Sequence, residues 1–225
     1  MRTGTERALQ KNELRSSARD FRNSLSPVLL SAIDARIAGQ VRMLEAWSNA
    51  DIIFSYLSIG CEVDTHELIR CAWEANKIVA VPRVVAHSRR LEWYCLEDFS
   101  HLEVSNYGLK QPYPNPITRI EPAESSCNHI ALVPALTFDK CGYRIGYGGG
   151  FYDVFLSGFS GISIGLGRRI EMKRDLSGLV GPHDVAVDIV VTEDGICTEK
   201  SSKAKANYSE NTKQRTSVRC PAGTL

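Results

Sequence analysis

Residues 129–156 read HIALVPALTFDKCGYRIGYGGGFYDVFL, and the second half of this stretch gathers groups suited to an anion. Gly146, Gly148, Gly149 and Gly150 let the backbone take positive φ and bring amide N–H groups close to a ligand. A helix beginning at Phe151 adds the partial positive charge of its N-terminus, so the loop reads as a phosphate cradle. Arg144 enters it as a phosphate-pairing cation. Tyr147, Phe151 and Tyr152 offer flat faces for a heterocycle, and Asp153 supplies oxygen suited to magnesium. It is not a P-loop, because Phe151 and Tyr152 stand behind the last glycine where Lys and Ser/Thr are required. It is also more compact than the dinucleotide fingerprint G-x-G-x-x-G.

Such a loop needs a strand to deliver it and a helix to leave it. Residues 130–138 form an apolar run of strand length, residues 139–142 a turn, and an apolar-periodic segment starts at Phe151. Upstream, the spacing predicts a helix over 5–25, with Leu14, Ala18, Phe21 and Leu25 on one apolar face. Lys11, Arg15, Arg19 and Arg22 form an adjacent cationic stripe, in which Arg19 and Arg22 read as surface. Ser26 and Pro27 start a second helix that runs to Trp47. Residues 51–59 read as a buried strand, with Asp64 or Thr65 capping the helix behind it. Two further strands, 78–85 and 90–96, suit a hairpin, with Pro82 at an edge or strand end. Residues 97–128 meander, and 161–167 suit another buried strand followed by Arg168 and Arg169, read as salt-bridging surface. Strands alternating with helices imply an α/β fold with a mostly parallel sheet covered on both faces.

A chain of 225 residues, 43% hydrophobic and 24% charged, buries one sizeable core, so residues 1–197 are expected to form a single domain. The formal charge of +1 argues against nucleic-acid binding through bulk electrostatics. From residue 198 onward six Lys/Arg face two Asp/Glu, a local +4, and little is apolar; residues 198–225 read as a disordered basic tail. Seven cysteines at scattered spacings signal neither a zinc site nor a disulfide framework and suit a reducing cytosol. No run approaches a membrane span, and Glu6, Glu13 and Asp20 argue against a mitochondrial presequence.

VPALTFDKCGYRIGYGGGFYDVFL resembles the signature of the 5-formyltetrahydrofolate cyclo-ligase family, roughly vPxxaFDxxGxRlGyGgGyYDxxL, and the likeness extends more loosely over residues 11–194. The resemblance implies a Rossmann-like three-layer αβα sandwich. It implies ATP- and Mg2+-dependent cyclisation of 5-formyltetrahydrofolate to 5,10-methenyltetrahydrofolate, with release of ADP and phosphate. KNELR at 11–15 looks like the family's KxxLR element, so Lys11 and Arg15 would join Arg144 at the phosphates as the catalytic cations. Ile145, Gly146, Tyr147, Gly148, Gly149, Gly150, Phe151 and Tyr152 would hold the nucleotide. Tyr147 and residues 148–151 would also face the folate, with Leu57 and with Glu62 of the GxEVDT-like loop. Asp153 and Asp188 would hold magnesium, Asp188 standing ahead of the final strand and behind the His183-Asp184 pair. Phe151 replaces the family's commoner tyrosine, which keeps the ring and loses a hydroxyl. The expected partners are the two small molecules, with no nucleic acid and no membrane, for a monomer in the cytoplasm. Two other classes fit the anion loop: a sugar-phosphate isomerase or CoA-transferase-like enzyme that needs no ATP, and a non-catalytic folate or nucleotide binder.

Overall fold

The computed structural model describes residues 4–105, 108–122, 128–173 and 175–198; the expected disordered tail, Thr198 apart, lies outside these residues. Two helices open the chain, α1 (Gly4–Ser24) and α2 (Pro27–Arg42), and Ser26 caps the second by accepting from the Leu29 N–H. A short α3 (Glu45–Asn49) completes what the sequence predicted as one helix to Trp47, the break falling at Met43 and Leu44. Strands and helices then alternate: β1 (Ile52–Phe54), α4 (His66–Glu74), β2 (Ile78–Val84) and β3 (Leu91–Cys95). The connection after β3 carries β4 (Leu102–Val104), β5 (Lys110–Pro112) and β6 (Arg119–Ile120). The apolar run at 130–138 is two strands, β7 (His129–Val133) and β8 (Thr137–Phe138), separated at Pro134. β9 (Arg144–Ile145), α5 (Phe151–Ser157), β10 (Ile162–Leu166), β11 (Ile189–Thr192) and β12 (Gly195–Ile196) finish the fold.

Eight strands make one sheet in the order β12-β11-β10-β7-β1-β2-β3-β6. The five central strands run parallel, and the edges are antiparallel through β2–β3, β3–β6 and β11–β12. Side-chain alternation divides the core between the two faces. Ile53, Val79, Val81, Ile130 and Leu132 pack under α2, α3 and α4, whereas Phe54, Ala80, Ala131 and Val133 pack toward Leu156 of α5. This is the expected αβα sandwich. Pro82 sits in β2 beyond Ala80, where pairing with β1 has ended, so its missing N–H costs no ladder bond on that side.

Two sequence expectations about arginines are corrected. Arg22 is buried, not surface: its guanidinium binds Glu171 at 2.9 and 2.7 Å and the carbonyls of Ala135 and Leu136. Phe21, expected on the apolar face, is exposed instead, so α1 turns a mixed face of Leu14, Ala18 and cations inward. Arg168 is 0% exposed and grips Asp34 through two nitrogens at 2.7 and 2.8 Å. It also reaches Glu171 at 3.2 Å and the carbonyls of Cys61 and Glu62. Of the described cysteines, Cys61, Cys71, Cys141 and Cys197 are free.

Arg168→Met leaves the buried Asp34 without its cation and Glu171 with Arg22 alone. The expected loss in urea unfolding is about 3–5 kcal/mol. Arg36→Met, which removes an exposed 3.4 Å pair with Asp194, is expected to shift stability by at most about 1 kcal/mol. Equal effects of the two substitutions would contradict the structural role given to Arg168.

Candidate functional site

The strand β9 delivers Arg144 into a cavity of about 470 Å³, and the loop that follows forms part of its wall. In that loop Gly148 has φ +106° and Gly150 φ +71°, values that side chains rarely adopt, and Gly150 ends the loop as the N-cap residue of α5. The loop therefore turns back on itself before the helix begins.

Arg144 is locked from both sides. One terminal nitrogen donates to Asp153 Oδ1 at 2.7 Å and the other to the Val185 carbonyl. Burial pulls its guanidinium below the ordinary arginine value, and the negative charge of Asp153 works in the other direction. Asp153 Oδ1 also accepts from the Val185 N–H at 3.2 Å, so this acid orients the arginine against the closing segment of the chain.

The helix α1 brings its cations to the same cavity. Lys11 Nζ lies 2.5 Å from Asp184 Oδ2, which also accepts from the Gly181 N–H at 2.7 Å. Arg15 Nε donates to the Gly146 carbonyl at 2.9 Å, and its guanidinium carbon lies 3.4 Å from where a Cβ on Gly148 would stand. Lys11, Arg15, Arg144 and residues 145–153 thus share one cavity, although α1 and the loop lie more than 100 residues apart.

Apolar side chains complete the lining. Leu57 and Glu62 come from the loop after β1, and Pro82, Val84 and Leu91 from the β2–β3 hairpin. Glu62 Oε2 accepts from the Ile59 N–H at 3.0 Å. Burial raises the Glu62 carboxyl, while that hydrogen bond, the Tyr147 hydroxyl and the charge of Arg22 oppose the rise. Tyr147 and Tyr152 are both pushed up by burial and then by the neighbouring Glu62 charge, so both phenols stay protonated donors. Among the described residues, the Tyr152 hydroxyl is buried without a partner.

Asp188 does not line the cavity with Asp153. It lies off the cavity wall, and its Oδ2 accepts from the backbone N–H and the hydroxyl of Ser163 at 2.9 and 2.6 Å, which clasps β10 to the start of β11. The acid that does face the cavity beside Lys11 is Asp184, four residues earlier. The sequence reading named Asp184 but gave it no role; the adjoining His183 drew no distinction between the two acids. Tyr56, Lys110 and Gln111 also line the cavity; Tyr56 stood only as part of the buried strand at 51–59, and Lys110 and Gln111 as part of the meander at 97–128. Among the described residues no group of three His, Cys, Asp or Glu side chains is arranged to hold a metal ion by itself.

The fold is that of the solved NMR structure of Aquifex aeolicus 5,10-methenyltetrahydrofolate synthetase, with a TM-score of 0.71 at 24% identity over 84% of this chain and 92% of that one. In sequence, the chain is 28% identical over 208 residues to the 5-formyltetrahydrofolate cyclo-ligase of Saccharomyces cerevisiae, covering 82% of this chain and 96% of the relative. It is 24% identical over 209 residues to a mitochondrial 5-formyltetrahydrofolate cyclo-ligase of Arabidopsis thaliana, covering 83% and 75%. The family model matches residues 7–193, a span that contains every residue of the cavity wall described above, and the chain belongs to the 5-formyltetrahydrofolate cyclo-ligase family.

Proposed function

We propose that the cavity carries out the ATP-driven cyclisation of 5-formyltetrahydrofolate to 5,10-methenyltetrahydrofolate. The observation that carries this reading is the convergence of Lys11, Arg15, Arg144 and the glycine loop with Leu57 and Glu62 on one cavity. The lining combines cations and backbone amides with apolar side chains, which matches two substrates of opposite character. The formyl oxygen is a poor leaving group; once phosphorylated by ATP it can leave as phosphate while the 10-nitrogen closes the ring.

Phosphoryl transfer asks a protein for positioning and charge neutralisation rather than for a covalent nucleophile. Arg144 suits the transferred phosphoryl group because Asp153 and the Val185 carbonyl fix its direction before a ligand arrives. Lys11 and Arg15 approach from α1 onto the same phosphates, and the amides of residues 146–150 form the cradle. Glu62 and Leu57, with the rings of Tyr147 and Phe151, take the folate side. The ring of Phe151 fills the space next to Gly149, where an added Cβ would approach it to 2.6 Å, so a stacking face survives without the hydroxyl.

Magnesium fits the acids available here as a metal shared with ATP. Asp153 and Asp184 each commit one carboxylate oxygen to protein partners, Oδ1 and Oδ2 respectively, and keep the other for a ligand. One or two carboxylates together with phosphates are what protein-bound Mg2+ usually takes. The ion would neutralise charge on the β- and γ-phosphates.

A monomer acting in the cytoplasm completes the proposal. One relative of this chain carries a mitochondrial name. No described helix is long and apolar enough to cross a membrane.

The first test is absorbance of methenyltetrahydrofolate formed from 5-formyltetrahydrofolate, with ATP and Mg2+ each supplied or withheld. Product is expected only when both are present, and product without ATP would overturn the reading. Arg144→Ala is expected to lower kcat about 10²–10³-fold with the fold intact by circular dichroism, as loss of a preorganised charge does elsewhere; near-wild-type turnover would remove Arg144 from the site. Asp184→Asn and Asp188→Asn separate the two acids. Asp184→Asn is expected to depress turnover at least tenfold and to shift its Mg2+ dependence, whereas Asp188→Asn should cost about 1–2 kcal/mol of stability and leave kcat near wild type. The reverse pattern would return the metal to Asp188.

A further inference from the structure

The small β4–β5 sheet gives Lys110 and Gln111 to the cavity lining, and in it Glu103 and Gln111 stand directly across from each other. Gln111 lines the cavity and is only 6% exposed. Its Nε2 donates to Glu103 Oε1 at 3.1 Å, and its Oε1 is buried with no hydrogen-bond partner. A buried carbonyl oxygen left without a donor costs free energy, and native structures satisfy nearly all such atoms.

The two ends of a glutamine amide are told apart by their neighbours. Here the neighbour decides it. Arg83 Nη1 donates to the same Glu103 oxygen at 2.5 Å and to the Pro112 carbonyl at 2.7 Å. Those contacts hold the Glu103 carboxyl below its ordinary value, Arg83 contributing first and Gln111 second. An ionised Glu103 can only accept, so it takes the NH2 end of the amide and leaves Oε1 turned away as the unmatched acceptor.

We propose that Gln111 Oε1 is a specificity contact of the folate pocket, accepting an N–H from the bound 5-formyltetrahydrofolate, and that Arg83 and Glu103 are positioning residues that fix which end of the amide is presented. The inference rests on the function proposed above and adds the chemistry of one wall. Pro82, Val84, Leu91 and Leu109 give the cavity apolar surface suited to a flat ring. The phosphates belong to Lys11, Arg15 and Arg144, which line the same cavity. The reduced pterin carries several N–H donors on its polar edge, and a single acceptor set in an apolar wall selects for a ring that turns a donor toward it.

Calorimetric titration of the full-length chain with 5-formyltetrahydrofolate and, separately, with a non-hydrolysable ATP analogue tests the contact. Gln111→Met, which keeps the volume and removes both polar ends, is expected to weaken folate binding about tenfold and to change nucleotide binding less than about twofold. Glu103→Gln leaves Gln111 in place but frees its amide to turn over, and should weaken folate binding by an intermediate factor. Thermal melts of both variants separate this from a structural role, which would lower stability and both affinities together. Unchanged folate affinity in Gln111→Met, or a parallel loss for both ligands, overturns the proposal. An unaltered chain that binds nucleotide but no 5-formyltetrahydrofolate overturns the functional reading and this contact with it, whereas tight folate binding that ignores Gln111 overturns the contact alone.

Discussion

Arg22 and Arg168 share the carboxylate of Glu171, and Arg168 closes the circuit on Asp34, so two positive and two negative charges lie together in the interior. The partners come from three places in the chain. Arg22 is near the end of α1, Asp34 lies in α2, and the two remaining groups follow β10. The same guanidinium groups take the carbonyls of Cys61 and Glu62 on one side and of Ala135 and Leu136 on the other. Three pieces of the cavity are therefore set by one network: the helix that carries Lys11 and Arg15, the loop that carries Glu62, and the chain entering β8 and β9. Buried ion pairs add little stability over apolar packing of equal volume, but a lost partner is severe, so such a network specifies an arrangement more than it strengthens one.

Within that frame the site holds its cations in waiting. Arg144 is paired with Asp153 and Lys11 with Asp184. Neither cation is free to wander, and neither is fully neutralised, because each acid also accepts from a backbone N–H. An arriving polyphosphate thus meets donors that are already oriented, and its charge replaces part of what the acids supplied. Partial burial raises the effect of each charge by lowering the local dielectric. It also explains why Glu62 is harder to ionise than an exposed acid, a cost offset by the Ile59 amide, Tyr147 and Arg22.

The sequence carried the loop and the sheet clearly, because both depend on local patterning. Apolar runs at 52–54, 78–84, 129–133 and 162–166 are strands, and the glycines at 148 and 150 take the positive φ that only their composition could signal. What it obscured depends on distance along the chain. Arg22 and Arg168 read as surface because an arginine reveals its burial only through a partner, and their partners lie 149 and 134 residues away. Asp184 and Asp188 sit on the same stretch with similar neighbours in sequence. Only the fold shows that Ser163 occupies the second while the first faces Lys11. Gln111 was silent for a related reason: its meaning is a missing partner, and absences have no motif.

The location of the cavity follows from the topology. From β1 the chain proceeds through α4 to β2 on one side, whereas from β7 it proceeds to β10 and β11 on the other. β1 and β7 are neighbours, paired in parallel from Ile52 with His129 to Phe54 with Ala131, so the direction of winding reverses between them. Connections leaving such a pair diverge to opposite faces and open a crevice beyond the carboxyl ends of the strands. The loop after β1 contributes Leu57 and Glu62, and the chain after β7 contributes Pro134 and then the glycine loop. Both loops thus begin at adjacent strands, which explains how residues so distant in sequence meet without any long excursion. The helix α1 and the β4–β5 sheet are additions laid over that crevice, one bringing cations and the other an oriented amide. The reversal fixes where a ligand can enter, and the additions decide what it must carry.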